Sequence, residues 1–74
     1  MPTPDPFTGL TDKQAVAVLW GKHHGINDKE LAVRFGVDER DIYNLRLGRS
    51  HAYSQYERAH TLWLRERLAR PVAK

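Results

Sequence analysis

The chain has 74 residues, 41% of them hydrophobic and 28% charged, with two Trp, three Tyr and two Phe. That is one small domain with enough apolar surface to offset chain entropy, so disorder over the whole length is excluded. There is no cysteine, which removes a disulfide scaffold, a thiolate zinc site and a thiol nucleophile together. The net charge is +3. Residues 1–26 and 27–49 each balance to zero, and the excess lies wholly in residues 50–74, where Arg58, Arg65, Arg67, Arg70 and Lys74 face only Glu57 and Glu66. The longest apolar run, Ala15 to Trp20, is too short for a bilayer, and the Met-Pro-Thr-Pro start lacks signal-peptide character. Together these features point to a soluble, cytoplasmic protein.

In chain order, Pro2, Pro4, Pro6 and Gly9 make residues 1–9 a non-helical tail, expected to be flexible, and residues 10–70 the single domain. Thr11 with Gln14 reads as a capping box. It opens a helix carrying Ala15, Val16, Leu19, Trp20 and His23 on one stripe and ending before Gly25. Asn27 with Glu30 repeats the pattern for a short second helix, which ends at Gly36. Asp38 caps a third, which runs to about Leu47 and stops at Gly48. Residues 49–53 are either a connecting loop or an extra turn of helix. Ser54 with Glu57 is a third box, opening a long helix to about Ala69; Pro71 stops it and 71–74 form a C-terminal tail. No stretch alternates with period two, so the expected class is all-α: four helices, or five if residues 49–53 form their own. The expected core is Ala15, Val16, Leu19 and Trp20 with Leu31, Ala32 and Phe35, then Ile42 and Leu45, and from the last helix Tyr56, Ala59, Leu62, Trp63 and Leu68.

Residues 28–47 fit two short helices joined by the turn Gly36-Val37-Asp38, in which each position has a cause. Ala32 is small where the third helix presses on the second. Gly36 can take a positive φ, and Val37 plugs the corner. Leu31 with Phe35, and Ile42 with Leu45, face inward. Residues 11–50, through Glu-Leu-Ala-Val-Arg-Phe-Gly-Val and Ile-Tyr-Asn-Leu-Arg-Leu-Gly-Arg, resemble the helix-turn-helix of phage Cro and repressor proteins and related small bacterial regulators.

With Ile42 and Leu45 inward, rotation of about 100° per residue turns Arg40 and Leu47 outward, flanked by Tyr43 and Asn44, with Glu39 at the edge. Arg suits guanine, Asn suits adenine, an apolar group suits a thymine methyl and Glu can accept from cytosine. The resemblance implies that these positions enter the major groove of double-stranded DNA. Lys29, Arg46, Arg49, Ser50 and Lys22 are the candidate phosphate contacts, Lys29 also lying at a helix N-terminus. Asp28, Asp38, Glu39 and Asp41 depart from the resembled pattern and weaken non-specific attraction to phosphate. On the last helix His60, Leu64 and Leu68 form a stripe suited to a homodimer. The four histidines lack metal-ligand spacing and the glycines punctuate helices rather than cradle phosphate. No metal, cofactor, small-molecule ligand or enzymatic activity is expected. The expected function is a Cro-like repressor in a bacterial cell or phage-infected host. The alternatives are an excisionase-like architectural factor, which would need strands after the third helix, and a protein-binding adaptor using the acidic turn.

Overall fold

A computed structural model describes residues 3–69. Four α-helices follow one another, α1 Asp12–His23, α2 Asp28–Phe35, α3 Glu39–Leu47 and α4 Tyr53–Ala69, with a 3-10 turn at Ser50–Ala52. No strand occurs among the described residues. The all-α expectation therefore holds.

The caps follow the residues that announced them. The Thr11 hydroxyl accepts from the Gln14 amide at 3.1 Å, and the Gln14 side chain accepts from the Thr11 amide at 3.0 Å. Asn27 accepts from the Glu30 amide at 2.8 Å, but here the box is one-sided, because the Glu30 carboxylate turns to Arg34, also at 2.8 Å. Asp38 caps α3 through the Arg40 amide at 2.8 Å. Gly36 and Gly48 end α2 and α3 with φ of 68° and 64°, left-handed conformations that admit glycine without a Cβ penalty. The expected box at Ser54 does not form. Residues 50–52 make a 3-10 turn that leads straight into α4, so Ser54 already lies inside the helix; an N-cap needs extended backbone there. That turn also decides the form of residues 49–53.

The core is built from Leu10, Ala15, Val18, Leu31, Ile42, Leu45, Ala52 and Ala59, each at most 2% exposed. Val16, Leu19 and Ala32 complete it, and Trp20, Phe35, Tyr56 and Trp63 pack against it only partly buried. Two expected core residues are outside it: Leu62 is 42% exposed and Leu68 is 85% exposed. Leu62 lies beside Val16, Ala17 and Trp20 of α1, at the edge of the face that Ala59 and Trp63 turn to the core. For Leu68 alone the cause is that α4, with 17 residues, is longer than its main packing partner α1, with 12.

The segment assigned to the N-terminal tail is non-helical, but from Asp5 onward it is part of the packed body. The Asp5 amide donates to the Leu10 carbonyl at 2.8 Å and the Gly9 amide to the Asp5 carbonyl at 2.7 Å. The buried Thr8 hydroxyl donates to the Gln55 carbonyl oxygen at 2.6 Å, and the Gln55 amide donates to the Leu10 carbonyl at 2.6 Å. Gln55 is fully buried, and these bonds supply the partners that burial of its amide requires. Arg58 adds an ion pair with Asp12 at 3.1 Å, and this bond holds the Asp12 carboxyl below its ordinary value against the opposing effect of burial. The C-terminal tail, with Arg70, lies outside the described residues.

Candidate nucleic-acid interface

Three residues, Gly36 to Asp38, separate α2 from α3. The Gly36 and Val37 amides both donate to the Ala32 carbonyl, the latter at 3.1 Å, so the chain reverses tightly enough to seat α3 on α2. Ile42 and Leu45 anchor α3 with no exposure. Its opposite side is thereby delivered to solvent: Glu39 and Arg40 are exposed, Tyr43 is 39% and Leu47 46% exposed, and Asn44 is half-buried beside them. All five residues expected to read base edges thus lie on α3, four of them open.

The cations expected to meet phosphates divide into two groups. Lys29 and Arg49 are exposed. Lys22 and Arg46 meet on one carboxylate: Asp28 lies 3.1 Å from the Lys22 ammonium and 3.3 Å from the Arg46 guanidinium, its side chain only 14% exposed. Burial opposes ionisation of Asp28, but the bonds from Lys22 and Arg46 outweigh it and hold its carboxyl below the ordinary range. This trio ties α1, α2 and α3 together. The Arg46 guanidinium also lies over the Tyr43 ring, 5.3 Å from its centroid, with that of Arg49 at 6.0 Å. Both guanidinium groups thus lie within cation–π distance of the Tyr43 ring. The Ser50 side chain lies outside what the structure describes.

Asp28 was legible in the sequence only as a helix N-terminal acid. Its bridging role depends on residues 6 and 18 positions away, a spacing that carries no local signal. The acidic surplus of the turn is also smaller in space than in sequence. Asp28 is neutralised by its two cations and Asp38 is engaged as a cap, which leaves Glu39 as the open carboxylate of the first turn of α3, with Asp41 half-buried.

On α4 the expected dimer stripe is broken. His60 stacks on Tyr56 (ring centroids 5.2 Å apart, planes inclined by 24°) and approaches Trp63 at 5.5 Å, while Leu64 and Leu68 remain exposed. His23 and His24 gather with Trp20 and Trp63 in the same aromatic cluster, which no spacing rule announced. Among the described residues no group of three His, Asp or Glu side chains could hold a metal ion, and no helix is long and apolar enough to cross a membrane. No protein-family model matches the chain, and no curated protein or solved structure matches it either.

Proposed function

We propose that the chain is a sequence-specific double-stranded DNA-binding regulator that inserts α3 into the major groove and represses by occupying an operator. The observation that carries this reading is the outer face of α3. Arg40, Tyr43 and Leu47 stand exposed with Asn44 beside them, on a helix anchored by Ile42 and Leu45 and joined to α2 by a three-residue turn. An Arg and an Asn on one face supply bidentate donors for guanine and adenine. Lys29 and Arg49 flank that face and supply charge for the phosphates on either side. The saturation of Asp28 and the capping role of Asp38 reduce the repulsion that the acidic turn would otherwise impose. A two-fold dimer through Leu64 and Leu68 would set two reading helices at half-sites about 34 Å apart.

The experiment is a selection from a random duplex pool, followed by affinity measurements across a salt series. Enrichment of a palindromic motif, with log K falling linearly in log salt, establishes the regulator and its dimer. A single half-site keeps the regulator and removes the dimer. Absence of enrichment and of salt-dependent binding refutes the reading and favours a protein-binding adaptor. The excisionase-like alternative loses support, since helix rather than strand follows α3 throughout the described residues.

A further inference from the structure

A cavity of about 280 Å³ opens between α1, α3 and α4. Its wall includes Lys22 and His23 from α1, Arg46 from α3, and Tyr56, His60 and Trp63 from α4. No carboxylate lines it. The charge beside it is not balanced: Asp28 brings one negative charge to the two cations of Lys22 and Arg46, whose side chains are only 27% and 31% exposed, so one positive charge remains in a partly desolvated place where screening is weak. The rings are ordered against one another, with Tyr56 stacked on His60, and His23 edge-on to Trp63 at 5.7 Å. Trp63 contributes a further feature. Its indole N–H is buried and has no hydrogen-bond partner among the described residues.

We propose that this cavity binds a small planar organic anion of the aromatic carboxylate class, its ring among Tyr56, His60 and Trp63 and its carboxylate toward Lys22 and Arg46. The volume lies near the lower end of ligand pockets, about 300–1,000 Å³, which sets the ligand at one or two fused rings. A carboxylate suits the wall because ammonium and guanidinium groups only donate, and each imidazole can donate from one nitrogen. A flat apolar body suits it because the remaining wall is Leu19 and aromatic rings. The site shares Lys22 and Arg46 with the residues expected to meet phosphate, but uses none of the exposed residues on the outer face of α3.

The test is a titration of the full chain, followed by proton–nitrogen spectra of the two indole N–H groups, with Trp20→Phe used to assign them. The probes are sodium benzoate and naphthoate, with benzamide and inorganic phosphate as controls. The expected result is a saturable shift of the Trp63 signal with both carboxylates and affinity roughly tenfold weaker for benzamide. Lys22→Met should weaken benzoate roughly tenfold while leaving benzamide unchanged, and its fold is checked by far-UV circular dichroism. Should that variant unfold, Lys22→Gln, which keeps a polar group beside Asp28, should weaken the carboxylates while leaving benzamide unchanged. No saturable shift with either carboxylate overturns the proposal. Equal binding of benzamide overturns anion recognition, and an equal response to phosphate overturns the planar body.

Discussion

Asp28→Asn should destabilise the protein and, on the proposed function, strengthen its binding to duplex DNA. The substitution keeps the shape of the side chain and removes the charge that Lys22 meets at 3.1 Å and Arg46 at 3.3 Å. Two cations, each about one-third exposed or less, are then left facing each other without a counter-charge, and the first turn of α2 loses a favourable acid. Partial solvation of both cations reduces the cost of breaking these charged bonds, so the net loss is about 2 kcal/mol. For a chain of this size that lowers Tm by roughly 8–16 °C. The acid limb of stability should change as well. The Asp28 carboxyl is held below its ordinary value of 3.8, so its contribution is fully present above that value and is lost as the pH falls through and below it. The wild type should lose stability over that range, and Asp28→Asn should lose less. In duplex binding, Lys22 and Arg46 become available to phosphate, and the slope of log K against log salt steepens by up to about 1.8 for two additional contacts. Thermal melts between acidic and neutral pH, with binding to one duplex at several salt concentrations, measure all three effects. An unchanged Tm would show that the trio does not hold the helices together. A lowered Tm with an unchanged salt slope would place Lys22 and Arg46 away from the DNA backbone.

Arg40→Ala and Asn44→Ala should each cost about 1–3 kcal/mol on the selected duplex and little on scrambled DNA, with Tm nearly unchanged; equal losses on both duplexes refute base reading. Gly36→Ala and Gly48→Ala both force a side chain into positive φ, but they should not cost the same. A Cβ at Gly36 meets nothing within 4 Å, while at Gly48 it falls 2.8 Å from Tyr56, so urea unfolding should give about 1 kcal/mol for the first and clearly more for the second. Gln55→Leu leaves the Thr8 hydroxyl and the Leu10 carbonyl without the partners that Gln55 supplies, a loss of about 2–3 kcal/mol. Deleting residues 1–4 should be nearly neutral and deleting 1–9 strongly destabilising, since Thr8 goes with the longer cut; equal melting of the two truncations would refute the clamp.

The features legible in the sequence are those governed by neighbours within about four residues. Helix caps belong to this class: Thr11 with Gln14, Asn27 and Asp38 each meet a backbone amide two or three positions on. So do the glycine stops at Gly36 and Gly48, and the inward pair Ile42 and Leu45, whose burial fixes by rotation alone which residues of α3 face outward. Ser54 marks where this reasoning ends. Its local pattern is a good cap, but a 3-10 turn entering from Ser50 to Ala52 already continues the helix through it.

What only the tertiary structure decided concerns residues far apart in the chain. Nothing local distinguishes Thr8 in a proline-rich segment as a buried partner of Gln55, 47 positions away. Nor does anything local tell that Leu68 lies at the exposed end of α4 while Val18 is sealed inside the body. Asp28, Lys22 and Arg46 come from three helices and become one electrostatic unit only when those helices pack. Periodicity states which residues share a face of a helix; what that face meets depends on helix lengths and packing, and on side chains brought together from distant parts of the chain.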